Sequence, residues 1–373
     1  MSLDALLTAV PPGGPHLLAS LLLIVGLLLG RSVCRGVRMR RRVGERVLIL
    51  GTSPLARRVV EEIGLRRERA WAIVGVLDDP DRLDLAIAAT RPDRIIVGLG
   101  DGPRLPVGLL VETRARGIIV ERAAETYERL TGKLPLEALP AARVVFSRDF
   151  QPSAMQLALT RLLSLVLAVV GLVVCLPLLA VVAIAIKLDS RGPVFFVQER
   201  VGCRGRTFWL VKFRTMHPMT DSRSEWERDN SHRITRLGRR LRRYRLDELP
   251  QLVNVLRGEM NLVGPRPHPA TNLVALSHAI RGLHEAAIPY YVLRCAVRPG
   301  ITGWAQVRYR YANSLEEEME KARYDLYYVK HVSLWLDVRI LFETVTAVLS
   351  GRGLARPAAV GTHGDDANRL EAA

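Results

Sequence analysis

The sequence predicts an α/β, Rossmann-like N-terminal domain followed by a mixed α+β, membrane-associated domain that carries a re-entrant helix hairpin. Three observations carry that expectation. From residue 46 to residue 150, short apolar runs alternate with helical stretches, the pattern of a parallel sheet with crossover helices. Leu162 to Ile186 is an uncharged run of twenty-five residues with Pro177 at its middle and basic residues on both flanks. Between residues 200 and 245 thirteen arginines and one lysine stand against four acids, and the adjacent carboxylates Asp247 and Glu248 follow directly.

Composition narrows the function classes. A chain of 373 residues holds two ordinary domains, or one domain with membrane segments. It is 49% apolar yet 24% charged, so soluble pieces must be interrupted by concentrated apolar stretches. The formal charge of +17 calls for an anionic partner: nucleic acid, an acidic membrane face or a phosphorylated substrate. Aromatic residues are only 6%, with no stacking platform and no zinc spacing, which argues against a nucleic-acid partner. Cys34, Cys175, Cys203 and Cys295 show neither metal nor redox spacing, so no disulfide framework is expected.

In chain order, residues 1–45 come first. Residues 17–30, LLASLLLIVGLLLG, are uncharged and apolar, and seven arginines follow before residue 47. A secretory signal carries its positive charge before the apolar core. These residues are therefore expected to form a membrane anchor whose basic flank stays on the cytoplasmic side. Within residues 46–150, RVLILG at 46–51, AWAIVGVLDD at 70–79, DRIIVGLGD at 93–101 and GIIVE at 117–121 read as strands. Gly51 opens a damaged dinucleotide fingerprint, GTSPLA, in which Ser53 stands where a glycine would let a pyrophosphate approach. Asp78 and Asp79 stand where a ribose-binding acid would, and equally suit a turn before Pro80.

Residues 141–160 read as a linker into a domain expected to span 151–350. Arg161 precedes the run 162–186, and Lys187, Arg191 and Arg200 follow it. Basic flanks on both sides argue against crossing a bilayer. Pro177 removes one backbone donor and clashes with the preceding turn. A helix that enters the cytoplasmic leaflet, breaks near Pro177 and returns keeps both flanks on one side, and a straight span is the alternative. VFFVQERVG and TFWLVKFRTM then read as two strands joined by an Arg-Gly turn, with Lys212 and Arg214 alternating with apolar neighbours. Residues 217–235 read as a polar loop near the substrate, and 271–297 suit a helix lying in the membrane interface. RPGITGWAQ makes a turn whose Trp304 faces either the substrate or the headgroup level. Two helices follow: the first opens with a Ser314–Glu317 capping box, and the second has an apolar stripe from Leu334 to Val348. Residues 351–373 read as a disordered tail.

The densest chemistry lies at 236–268, RLGRRLRRYRLDELPQLVNVLRGEMNLVGPRPH. After Asp247, Leu249, Leu252, Val253 and Leu256 fall at helical spacing, Pro250 is tolerated in the first turn and Gly258 supplies the stop. Neighbouring helix residues point about 100° apart, so Asp247 and Glu248 must do different jobs. Fixed positive charge suits a phosphate-bearing substrate, and a carboxylate beside it can hold a divalent cation or attack phosphorus. An N-cap Asp, a first-turn Glu and a solvated basic face would give the same string.

LDELPQLVNVLRGEMNLVGPRPH resembles the signature of the bacterial sugar transferases, the monotopic phosphoglycosyl transferases that start lipid-linked glycan assembly. The resemblance extends through KLDSRGPVFFVQERVGCRGRTFWLVKFRTM at 187–216, RPGITGWAQVRYRY at 298–311 and EKARYDLYYVKHVSLWLDVRILFETVTAVL at 320–349. It implies transfer of a sugar 1-phosphate from a UDP-sugar to undecaprenyl (polyprenyl) phosphate, with release of UMP, through a covalent aspartyl phosphosugar. Asp247 would be the nucleophile and Glu248 its partner in metal binding or proton handling, with Mg²⁺ held by Asp247 and Glu248. Lys212, Arg214, Arg242 and Arg266 would contact phosphate, Pro265 would shape the turn that aims Arg266, and Pro177 would mark the membrane break, preceded here by Leu176 where the family often has Ser.

The same resemblance implies membrane lipid as a partner, and a place in the bacterial inner membrane with the catalytic domain on the cytoplasmic face. It also implies an N-terminal domain similar to nucleotide- or coenzyme A-binding folds, and leaves a homo-oligomer open. A rival from another class is a non-catalytic membrane scaffold of a polysaccharide export complex that binds nucleotide or acidic lipid; it would tolerate Asp247→Asn. A NAD-dependent dehydratase or epimerase needs a Tyr-x-x-x-Lys pair, and here Tyr127 is followed four residues later by Thr131.

Overall fold

The computed structural model describes residues 44–65, 71–99, 105–217, 231–269, 290–309 and 315–350. The expected N-terminal anchor, most of the polar loop at 217–235, most of the interfacial segment at 271–297, Ser314 of the capping box and the tail at 351–373 lie outside the described residues. The chain divides into two compact units between Thr131 and Gly132.

The first unit is a four-stranded parallel sheet with helices on both faces. Its strands β1 (Glu45–Leu50), β2 (Trp71–Leu77), β3 (Arg94–Val97) and β4 (Ile119–Arg122) lie in the order β2-β1-β3-β4. Its helices are α1 (Pro54–Leu65), α2 (Leu83–Thr90), α3 (Val107–Ala115) and α4 (Ala123–Thr131). A central parallel strand is buried on both faces, and the period of two sorts its side chains. Val47 and Ile49 enter one core with Ala56, Val59 and Tyr127 from α1 and α4. Leu48 and Leu50 enter the other with Leu83 and Leu110 from α2 and α3. At the end of β1, Gly51 has φ +106°, and a Cβ there would sit 2.4 Å from the carbonyl oxygen of Gly98. Ser53 accepts from the Ala56 amide at the start of α1 (3.3 Å). Asp78 accepts a hydrogen bond from the Thr52 hydroxyl (2.5 Å), and Asp79 accepts from the Asp81 amide in the following turn (3.0 Å).

The second unit begins at Gly132, inside the span 46–150 expected for the first domain, and also takes in the expected linker. Residues 141–160 instead form α5 (Ala141–Phe146) and the first turns of α6 (Ala154–Asp189). Leu134, Leu136 and Phe150 pack into the same core as Tyr291, Trp304 and Leu326. Ser153 and Gln156 cap α6 reciprocally: the Gln156 amide donates to Ser153 Oγ (3.2 Å) and the Ser153 amide to Gln156 Oε1 (2.9 Å). With 36 residues, α6 is long and apolar enough to cross a membrane, and only 11% of its most apolar stretch is buried, unlike the core helix of a soluble protein. The helix is continuous across Pro177, which is exposed.

Both halves of α6 rest on the same unit. Ala168 and Leu172 meet Phe208, Leu210, Leu252 and Val255, while Val182 and Ile186 meet Phe213 and Leu241. The remaining elements are β5 (Phe195–Val201), β6 (Thr207–Phe213), α7 (Arg236–Arg243), α8 (Leu252–Arg257), β7 (Asn261–Val263), β8 (Gly300–Thr302), α9 (Trp304–Arg308), α10 (Leu315–Lys330) and α11 (Leu334–Leu349). β5 and β6 pair antiparallel, and β7 and β8 pair parallel.

Candidate active site

Local chemistry first seats the arginine run. Thr235 caps α7 by accepting from the Gly238 amide (2.9 Å). A Cβ on Gly238 would lie 2.2 Å from the Thr215 carbonyl oxygen, so only glycine lets α7 lie directly on the backbone that follows the strand carrying Lys212. Leu241 is buried on that side, Arg239, Arg240 and Arg243 face solvent, and the Arg242 Nε donates to Thr215 Oγ1 (3.0 Å). Arg245, with φ +54°, then turns the chain into a 3₁₀ turn, Leu246–Gln251, that leads into α8. Pro250 sits in that turn, and Gly258 ends α8 at φ +87° as its spacing predicts.

The turn buries both Asp247 and Glu248 and separates their surroundings. Glu248 Oε1 accepts from Arg266 Nη1 (2.9 Å), and Arg245 reaches it at 3.4 Å. Among the described residues no hydrogen bond or ion pair is made to the Asp247 carboxylate. Burial pushes the Asp247 carboxyl above its ordinary range and the Glu248 charge adds to that, against the pull of Lys212, Arg242 and Arg266. Burial also pushes Glu248 upward, but Arg245 and Arg266 outweigh it and hold this carboxyl low. Lys212, on β6, is brought down to about 8 by burial and by Arg266 and Arg200, with Asp247 opposing. Its ammonium lies 5.0 Å from the centre of the Phe196 ring.

Arg266 is aimed by a backbone knot. The Gly264 amide donates to the Thr302 carbonyl (2.9 Å), and the Gly300 amide to the Pro265 carbonyl (3.0 Å). A Cβ on Gly264, Gly300 or Gly303 would come within 2.4 Å of facing backbone, so these glycines permit the contact. The Gly-Pro-Arg-Pro turn and the RPGITG segment are thus one structural piece.

The structure therefore gathers Lys212, Arg242, Asp247, Glu248, Pro265 and Arg266. Arg214 lies elsewhere: its Nη2 donates to Ser190 at the carbonyl (2.7 Å) and Oγ (3.0 Å), which ties down the C-terminus of α6. Pro177 lies on the exposed middle of α6. Trp304 faces neither substrate nor headgroups. It is buried, its Nε1 donates to the Gly132 carbonyl (2.8 Å), and its ring lies beneath Arg308 and Arg339.

Residues not singled out from the sequence complete the site. Gln306 Oε1 accepts from Arg245 Nη1 (2.8 Å) and so orients a guanidinium that also faces Glu248. Asn254, fully buried, accepts from the Val211 amide (3.1 Å) and donates to the Trp209 carbonyl (2.8 Å), as a neighbouring strand would. It locks α8, and with it the turn holding Asp247, to the strand holding Lys212. Its signal was an amide in the middle of the stripe Leu252, Val253, Val255 and Leu256.

Among the described residues no group of three or more His, Cys, Asp or Glu side chains could hold a metal ion. Mg²⁺ commonly takes one or two carboxylates and otherwise substrate phosphates and water. The pair Asp247 and Glu248 fits that limited role, since the Asp247 carboxylate is not engaged by the arginines that hold Glu248.

Fold and site together define a class: an α/β protein with, among the described residues, one membrane-length helix and a buried carboxylate pair ringed by cations suited to phosphate. The chain belongs to the bacterial sugar transferase family, whose model matches residues 155–351. It is 36% identical over 283 residues to the UDP-N-acetylgalactosamine-undecaprenyl-phosphate N-acetylgalactosaminephosphotransferase of Aeromonas hydrophila, covering 74% of this chain and 63% of that protein. To the undecaprenyl-phosphate glucose phosphotransferase of Komagataeibacter xylinus it is 35% identical over 351 residues, covering 89% and 64%. To the UDP-glucose:undecaprenyl-phosphate glucose-1-phosphate transferase of Escherichia coli (strain K12) it is 41% identical over 213 residues, covering 56% and 44%. The chain spans less than two thirds of the length of these relatives.

Proposed function

We propose that this protein transfers a sugar 1-phosphate from a UDP-sugar to undecaprenyl phosphate and releases UMP, at the cytoplasmic face of the bacterial inner membrane, as the first membrane step of exopolysaccharide or other glycan biosynthesis. The names of its relatives support the reaction class. The observation that carries the mechanism is the division of labour between adjacent acids: Glu248 is held by Arg266, and Asp247 is left without a hydrogen bond among cations.

In the first step an Asp247 oxygen bonds to the phosphorus that carries the sugar. The bond from that phosphorus to the bridging oxygen breaks, and UMP departs with the oxygen and the electron pair. In the second step an oxygen of the lipid phosphate bonds to the same phosphorus, the bond to Asp247 breaks, and the carboxylate is restored. No proton has to move in either step. Dividing the reaction keeps two anionic substrates from meeting directly. Lys212, Arg242 and Arg266 stabilise the charge on the transferring group, and Glu248 holds Arg266 in place. Mg²⁺, held by Asp247 or Glu248 together with the diphosphate, would neutralise the leaving nucleotide.

The basic residues on both flanks of α6, Arg161 and Lys187, support an arrangement that keeps both ends on one side of the bilayer, although the helix runs unbroken through Pro177, where a break was expected. The sheet order of the first unit supports a Rossmann-like domain.

The test incubates the detergent-solubilised protein with Mg²⁺, a polyprenyl phosphate and a panel of UDP-sugars. UMP release with at least one donor is expected, with a phosphosugar detected on Asp247 by mass spectrometry. Asp247→Asn should lower turnover by on the order of 10³-fold or more. No UMP from any donor, or an undiminished Asp247→Asn variant, would sink the reading.

A further inference from the structure

Behind the Gly-Pro-Arg-Pro turn lies a buried set of charges that touches none of the groups assigned to the reaction except through the backbone. Arg294, 5% exposed, stands on a 3₁₀ turn formed by Tyr291–Ala296. Its Nη2 donates to the carbonyl oxygen of Arg266 (3.2 Å) and pairs with Asp325 Oδ2 (2.6 Å). Its Nη1 donates to the Tyr291 hydroxyl and lies 3.6 Å from Glu318 Oε1. Glu318 in turn accepts from Tyr291 (2.8 Å) and meets Lys321 (3.1 Å) and His268 Nε2 (3.2 Å). Glu318 and Asp325 lie on α10, seven residues apart and so on one face of the helix. The turn is thus gripped at two places, the Arg266 carbonyl and the His268 ring, on either side of Pro267.

Burying two acids and two cations in this way is costly, and a well-packed apolar core would serve stability as well or better. The network is therefore better explained by what it orients. Its one bond to the backbone of a site residue goes to Arg266, whose side chain leaves the same residue toward Glu248.

We propose that Arg294, held by Asp325 and Glu318, is a positioning residue that fixes the backbone at Arg266 and so aims the Arg266 guanidinium at Glu248 and at the phosphate of the donor. This inference rests on the transferase reading of the site.

A double-mutant cycle tests it, with kcat and KM measured by UMP release. Arg294→Lys keeps the charge but not the forked geometry, and should lower kcat/KM by on the order of ten- to a hundredfold. In an Arg266→Ala background the same substitution should have almost no further effect, because the group it positions is gone. In a Lys212→Ala background its effect should persist in full. General loosening of the fold would multiply with both backgrounds. Multiplication with Arg266→Ala, or wild-type activity of Arg294→Lys, would overturn the proposal. If Arg294→Lys fails to fold, the isosteric Asp325→Asn enters the same cycle with the same expectations. Absence of turnover in the unsubstituted protein would overturn both this inference and the transferase reading, whereas a multiplicative cycle in an active protein counts against this inference alone.

Discussion

Asp247 and Lys212 are the ionisable groups of the site to which, among the described residues, no hydrogen bond or ion pair is made. Their charges set the pH range of the chemistry. Lys212 sits near 8 in place of its usual 10.5, so its positive charge is lost as pH rises through about 8. The rate of UMP release should fall on the alkaline side with an inflection there. Lys212→Arg, which keeps its charge, should move that limb to higher pH; an unmoved limb would mean that another group titrates. Asp337 shows the opposite linkage. It is buried with the Tyr328 hydroxyl as its partner at 2.8 Å, and burial raises it from 3.8 to about 7 against the pull of that bond. Folding takes up a proton between those values, so this contribution to stability is complete below 3.8 and is lost as pH rises through about 7. Asp337→Asn should flatten a slope of about 1.4 kcal/mol per pH unit. Thermal melts should therefore show a stabilised variant above neutral pH and little change at pH near 4.

Among the elements, β7 and β8 show how little room the site leaves. A Cβ on Gly300 would lie 2.1 Å from the Gly264 amide nitrogen, backbone against backbone, with no flexible side chain to yield. Gly300→Ala should cost about 3 kcal/mol or more, read from urea unfolding, and should displace the turn that carries Arg266. A variant with unchanged midpoint would show that the two segments can separate at no cost. The glycines were legible as turn residues in the sequence, but not as the interlock of segments almost forty residues apart. The apolar stripe of α11 was equally ambiguous between core and membrane. None of the stripe residues Leu334, Trp335, Val338, Leu341, Phe342, Val345 and Val348 is fully buried, and Phe342 and Val345 are exposed, whereas the buried Leu336 and Ile340 lie off the stripe. Residues 246–251 read as the first turn of a helix and form a 3₁₀ turn, since Arg245 in the left-handed region sets a tighter entry.

For the molecule as a whole, the question is how α6 meets a bilayer. A straight crossing would put its flanks on opposite sides; both halves pack on one unit and the helix is unbroken at Pro177. With the four native cysteines replaced by serine, cysteines introduced at Gln151 and Arg191 should both react with an impermeant thiol reagent in inside-out vesicles and neither in right-side-out ones. Labelling of one position from each side would establish a crossing and end the hairpin reading. The basic residues on both flanks, Arg161 and Lys187, favour the first outcome.

By itself the sequence determined what depends on local pattern. The alternation from 46 onward, the long apolar run and the stop at Gly258 follow from short-range periodicity and turn chemistry, whereas the grouping of Asp247, Glu248 and Arg266 came from the resemblance to the family. Only the tertiary structure decided which polar group each side chain meets. Arg214 was grouped with the phosphate contacts and is tied to the end of α6, and Trp304 binds a carbonyl 172 residues away. Asn254 pairs with a strand 43 residues before it, and Arg245 with a glutamine 61 residues after it. Apolar patterns announce which face is buried, because burial is non-directional. A hydrogen bond requires its partner at one distance and angle, and the fold alone supplies that partner.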